Sequence, residues 1–310
     1  MAHPGKITQS ARRAQRRPCR VNATVFASLL TLLLSFPTLV QSGTEEGIAA
    51  FEAKDYDRAL RELKPAAESG NAEAQYYLGS MYYRGAGIAR DKTAAREWFE
   101  AGAGQGHAKS QASLAYIYEK GAGVVADKKQ AADLYRQAAS QGHVIAQRNL
   151  GLMYREGEGV ERDYAEAAAR FRRAAEQGDA ESQNQLGNLY AYGFGVPHDY
   201  RRAAYWARRA AENGNAEAQH ALHSMILQGI GVGGGPVSAY AWSLYAARQG
   251  YPGGEQAWEG DKRRMFLSTE QEKKVRSMVD AGKWPPYPRF DESERRELRR
   301  VGTGEIRRRH

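Results

Sequence analysis

One register governs the middle of this chain: the same residues return every 36 positions through five units, with no insertion or deletion. Gln75, Gln111, Gln147, Gln183 and Gln219 keep that step, and so do Leu78, Leu114, Leu150, Leu186 and Leu222. Two glycine columns follow, Gly85, Gly121, Gly157, Gly193 and Gly229, then Gly87, Gly123, Gly159, Gly195 and Gly231. Ala95, Ala131, Ala167, Ala203 and Ala239 stay in phase, as do Gly106, Gly142, Gly178, Gly214 and Gly250. A unit this short cannot close a core of its own, so each must cover the apolar face of the next, and the fold is an array.

Within a unit the pattern reads as two helices. Ala74, Leu78, Met81 and Tyr82 fall at helical spacing and predict a first helix over Ala72 to Arg84. Gly85 and Gly87 end it, because glycine enters the left-handed backbone region without a side-chain penalty. Asp91 restarts the chain: its carboxylate accepts from free amides of the next first turn, an effect of about 1 kcal/mol. Asp127, Asp163 and Asp199 repeat the signal, and in the fifth unit Gly235 and Pro236 replace it. The second helix is expected to bury Ala95, Phe99 and Ala103 and to end at Gly106.

The flanks differ in grammar. Residues 1–42 hold six Lys/Arg and no acid; Arg12 to Arg20 precede the apolar run Val25 to Phe36, and Val40-Gln41-Ser42 offers small residues for cleavage. That is the layout of a secretory signal peptide, cleaved near Ser42. The alternative is an anchor over 21–40 in the inner membrane, although a span needs about 20 apolar residues. Cys19 is the only cysteine and lies in this leader, so a cleaved product has neither disulfides nor thiolate chemistry. Residues 43–70 read as an N-terminal capping pair, with Asp55 in phase with Asp91 and Ala59 with Ala95. Residues 251–284 read as C-terminal capping helices, Ser268 or Thr269 giving an N-cap signal. Residues 285–310 read as a proline-rich linker and a basic, mobile tail.

The formal charge of +9 sits at the ends: residues 43–250 carry 24 basic against 25 acidic side chains, and residues 251–310 carry 15 against 11. The central body therefore has no basic stripe, and nucleic acid is not expected as a partner. Chemistry-bearing constellations are thin. Gly229 to Pro236 resembles a phosphate-cradling loop, but such loops follow a strand and this one follows a helix. Glu217, His220 and His223 share part of a helix face, an incomplete set for a structural metal. No carboxylate pair stands out as an acid and base, and no G-x-S-x-G elbow occurs. No catalytic residue, metal or cofactor is expected.

The stretch LGSMYYRGAGIARDKTAAREWFEAG and its copies resemble Sel-one-like repeats, a subfamily of the tetratricopeptide-like α/α superhelices. The resemblance covers about residues 43–250, with five repeats over 71–250; it implies an all-α superhelical solenoid whose first helices line the concave wall. Departures are local: Ala115 and His223 replace the glycine after the leucine, and Ile226 replaces the tyrosine. Some relatives carry paired cysteines in each unit and are linked to β-lactam-like compounds. This chain lacks those cysteines, which removes that expectation.

Compared among themselves, the copies hold Leu78, Tyr82 and Gly85 nearly fixed, while the positions of Glu73, Tyr77, Ser80 and Arg84 vary freely along one stripe of the first helix. On the implied concave wall that stripe is a candidate protein-binding groove: Tyr77, Lys109, Ser113, Tyr116, Lys120, Asn149, Leu152, Glu156, Gln185, Asn188 and Tyr192. Tyrosines suit such a role, since each combines apolar area with a hydroxyl. The resemblance implies a non-catalytic adaptor in a bacterial periplasm or cell envelope, binding another protein. The rival is a cell-wall-binding or hydrolysing protein. The basic C-terminal segment is expected to add weak contact with anionic membrane or polysaccharide.

Overall fold

The structure, a computed structural model, describes residues 43–264 and 267–285. The basic leader with its apolar run, and the linker and tail beyond Pro285, lie outside the described residues. Among the described residues there are helices and no strand. α1 spans 43–52 and α2 spans Tyr56–Glu68. First helices of the five units are α3 (Ala72–Arg84), α5 (Ala108–Lys120), α7 (Val144–Glu156), α9 (Ala180–Tyr192) and α11 (Ala216–Gln228). Second helices are α4 (Lys92–Gly104), α6 (Lys128–Ser140), α8 (Tyr164–Glu176), α10 (Tyr200–Glu212) and α12 (Pro236–Arg248). α13 (Gly254–Arg264) and α14 (Thr269–Asp280) follow. None of these helices is long and apolar enough to cross a membrane.

The helix ends have local causes. Gly85 closes α3 in the left-handed region at φ 72°, its N–H donating to Met81 O at 2.8 Å. Asp91 opens α4, its Oδ1 accepting from Thr93 N at 2.9 Å and Ala94 N at 3.0 Å. Gly106 is not the terminus of the second helix: α4 stops at Gly104, Gln105 caps it, and Gly106 turns the chain at φ 82°.

The second glycine of each loop serves the array as well as the turn. A Cβ on Gly159 would lie 2.1 Å from Lys128 O, and one on Gly231 would lie 2.1 Å from Tyr200 O. Each loop is therefore seated on the first turn of the preceding unit's second helix, where only glycine lets two backbones meet. The glycine after the repeated leucine answers to a different neighbour. A Cβ on Gly79 would stand 2.8 Å from the Phe99 ring, and one on Gly151 2.7 Å from Phe171. In the fifth unit the sizes are exchanged: buried His223 replaces the glycine, its Nδ1 3.2 Å from Ala239 O, and Ser243 takes the register of Phe99.

Packing is shared between units. Ala95 and Phe99 join Leu114 and Ile117 of the next unit in one buried cluster, and Ala167 and Phe171 join Leu186, Leu189 and Trp206 in another. The repeated glutamine is buried and polar. Gln75 Nε2 donates to Ala67 O at 3.2 Å, satisfying a helix-terminal carbonyl of the preceding unit, while its Oε1 accepts from Gln105. At the C-terminal end Ser268 and Gln271 form a reciprocal capping box on α14. Val275 and Val279 of α14 are buried in the last cluster, and the Trp284 ring lies 5.6 Å from Trp242 and 5.0 Å from Tyr245.

Candidate functional site

A cleft of about 250 Å³ opens along the first helices α3, α5 and α7. Its walls are first-helix side chains, and its floor is supplied by Phe99 of α4 and Tyr135 of α6. Four residues expected from the variable stripe meet here: Lys109, Ser113, Tyr116 and Asn149. Ser80 and Arg84, at variable positions of the same stripe, join them.

The rings are held at defined angles. Tyr83 and Tyr116 meet edge to face with centroids 6.4 Å apart, and Tyr116 remains 41% exposed. Lys120 Nζ lies 5.8 Å from the Tyr116 ring centroid, and Lys109 Nζ lies 5.6 Å from that of Tyr76. Beneath them Tyr135 is buried, donating from its hydroxyl to Glu119 Oε2 at 2.9 Å and accepting from Asn149 Nδ2 at 2.9 Å. Burial, then the carboxylate of Glu119, pushes the Tyr135 hydroxyl far above the ordinary phenol range, so it stays a neutral donor. Glu119 is also paired with Lys120.

Lys109 forms an ion pair with Glu73 at 3.3 Å. Burial opposes its charge, but Tyr77 and Glu73 beside it outweigh that and raise its pKa. His143, at the edge of the cleft, caps α7 by accepting from Ala146 N at 3.2 Å. Burial lowers its pKa, as do the charges of Lys109 and His107.

The remaining stripe residues lie elsewhere. Tyr77 does not line the cleft: only 9% exposed, it packs edge to face on Phe51 of α1 at 5.2 Å and meets the cleft through Lys109, whose Nζ lies 5.5 Å from its ring centroid. Gln185 also lies outside the cleft, buried between Arg155, which donates to it, and Glu181, to which it donates at 2.6 Å. Leu152 is half-buried against the Phe171 cluster, Asn188 is half-buried, and Glu156 pairs with Arg155 at 2.6 Å. Tyr192 is 70% exposed and stacks on Phe194 of its own loop at 5.8 Å. Lys120 borders the cleft through Tyr116. Tyr76, Tyr83 and Tyr135 were not in the stripe. The first two occupy columns that vary among copies as freely as that of Ser80, and Tyr135 is the one hydroxyl among aromatics at the Phe99 register.

Of the histidines weighed as ligands, the His220 ring stacks on Tyr251 at 4.8 Å and His223 is turned to the α12 backbone. Among the described residues no three His, Cys, Asp or Glu side chains gather as a metal set.

Paired helices stacked in register, with a donor-rich aromatic cleft along the first helices, define a tetratricopeptide-like α/α repeat protein. The Sel1 repeat matches residues 72–107, 108–143, 144–179, 180–215 and 216–251, more than half of the chain, one residue later in phase than the sequence reading. The chain belongs to the Sel1 repeat family.

Its fold is similar to that of a Sel1 repeat protein from Oxalobacter formigenes, with TM-score 0.67, 30% identity, and 80% of this chain and 99% of that one covered. It is also similar to c5321, a protective antigen of uropathogenic Escherichia coli displaying the SLR fold. There the TM-score is 0.70 and the identity 30%, with 82% of this chain and 56% of that one covered. A shorter likeness, 41% identity over 66 residues, joins it to the ERAD-associated E3 ubiquitin-protein ligase component HRD3A of Arabidopsis thaliana. The match spans 20% of this chain and 10% of that protein. Proteins of this repeat type are typically protein-interaction scaffolds.

Proposed function

We propose that this chain is a non-catalytic adaptor that binds a peptide or helix of another protein in the α3–α5–α7 cleft. The observation that carries the reading is the Tyr83–Tyr116 pair over the Tyr135–Asn149 hydrogen bond: large, rigid rings already ordered at an opening of about 250 Å³. Preordered rings lower the entropy cost of docking an extended segment. Drug-sized and cofactor pockets run from about 300 Å³ upward, so this opening suits a side chain of a partner. HRD3A, an E3 ubiquitin-protein ligase component, supports an adaptor role by likeness. The location proposed is a bacterial periplasm or cell envelope, supported by the basic and apolar order of residues 1–42.

A photoreactive residue placed at Tyr116 in cells tests the role. A discrete partner should crosslink, and Tyr83→Ala should abolish the product. Crosslinking that survives Tyr83→Ala, or an absence of any product, overturns the reading.

A further inference from the structure

We infer that the cleft selects an acidic segment: one large apolar side chain seated among the tyrosines, with a neighbouring carboxylate on Arg84. The inference rests on the protein-binding role proposed above and names the chemistry of the partner.

Charge carries it. The residues lining the cleft include two cations, Arg84 and Lys109, and no carboxylate. Two acids that touch its lining residues are already engaged: Glu73 is paired with Lys109 at 3.3 Å, and Glu119 accepts from Tyr135 at 2.9 Å while pairing with Lys120. Arg84 differs from every other cation there. It is exposed at the end of α3 and makes no ion pair or side-chain hydrogen bond among the described residues. A planar fork of unengaged donors beside an aromatic wall is suited to a carboxylate held in two contacts. The floor below is formed by the Phe99 and Tyr135 rings, which fixes where the partner's large side chain must go.

The register agrees. The position of Arg84 is Lys120, Glu156, Tyr192 and Gln228 in later units. Lys120 is taken by Glu119 and Glu156 by Arg155, so an open cation occurs in this column only at the first unit, beside the cleft.

Selection from a random displayed-peptide library with the full chain tests this, followed by fluorescence anisotropy on the selected peptides. Selected sequences should place Asp or Glu next to a large apolar residue. Their affinity should fall about tenfold on Arg84→Glu, less on Arg84→Gln, and weaken with added salt. Arg173→Glu, an exposed charge at the end of α8, should leave it unchanged and so controls for net charge and for the basic leader. Tyr116→Ala should remove binding. Neutral or basic peptides that still depend on Tyr116 overturn the acidic preference and leave the adaptor role standing. Peptides indifferent to both Arg84 and Tyr116 overturn the cleft as well, as does a library that yields no binder.

Discussion

Gln105 Nε2 donates to the buried Oε1 of Gln75 at 2.8 Å, and the same amide reaches Gly70 O at 2.9 Å. One pair of amides thus ties both helices of a unit to the end of the unit before. Gln141 with Gln111, Gln177 with Gln147 and Asn213 with Gln183 repeat it. A buried side chain with all its polar atoms engaged is costly to break, because the partners left behind lose water as well.

Gln147→Leu should therefore destabilise the protein by about 1–3 kcal/mol, since Ala139 O and the Gln177 amide both lose a partner. Gln219→Leu should cost less. Its Nε2 donates to Ala211 O, but its Oε1 already lacks a partner. Urea unfolding followed by circular dichroism compares the two, and equal losses would count against the ladder.

The two glycine types of the unit separate backbone strain from contact. Gly142 sits at φ 88° with open space where a Cβ would go, whereas at Gly159, φ 69°, a Cβ meets Lys128 O at 2.1 Å. Gly142→Ala should cost about 1–2 kcal/mol, the left-handed penalty alone. Gly159→Ala should cost roughly 1–3 kcal/mol more, as overpacking displaces the loop from its seat. Thermal unfolding of both variants measures the difference.

The sequence made the array legible because a constant length leaves its register uncorrupted: Asp91 and Gly85 announce helix ends through local backbone chemistry alone. The cleft was half legible. Variation among copies pointed to Lys109, Ser113, Tyr116 and Asn149, but Tyr77 and Gln185, in the same column as Ser113 and Asn149, are buried on Phe51 and beside Arg155 instead. The surroundings of each copy, and not the column, decide which side chain opens to the cleft. Tyr135 was hidden for the opposite reason. It holds a core register, and only its bonds to Glu119 and Asn149 show that its hydroxyl belongs to the cleft. The glutamine ladder was visible as a period, yet its partner lies thirty residues away, beyond any local pattern.

Acidification should weaken the cleft end of the array through His107 and His143. They stand where other units have Asn71, Asp179 and Asn215, and His143 Nδ1 accepts from the α7 backbone, which its protonated form cannot do. Burial lowers both pKa values below the ordinary 6.5, and for His107 the opposing charge of Glu73 does not restore it. The unfolded chain therefore binds more protons between the folded and unfolded values. Stability is full above about pH 6.5 and is lost as pH falls through that window. Urea midpoints at pH 7.5 and pH 5 should differ less in the His107→Asn, His143→Asn double variant than in the parent.

Removing one whole unit tests whether the contacts depend on register alone. With residues 144–179 excised, His143 leads directly into Ala180, and Gln183 Nε2, now on Ala175 O, finds Ala139 O at the same register. Gly195, now seated on Tyr164, finds Lys128. At the cleft Gln185 and Glu181 fall at the registers of Asn149 and Ile145, and the Tyr135 hydroxyl still reaches Glu119. The shortened protein should keep its helical signal per residue, elute as a smaller body and melt somewhat lower, because stability in such arrays is a sum over units and their interfaces. Excising 144–161 instead removes a first helix and leaves its partner's apolar face uncovered, which should cost helical signal. A whole-unit deletion that unfolds as badly as the half-unit one would mean that the core is set by global shape rather than by neighbouring registers.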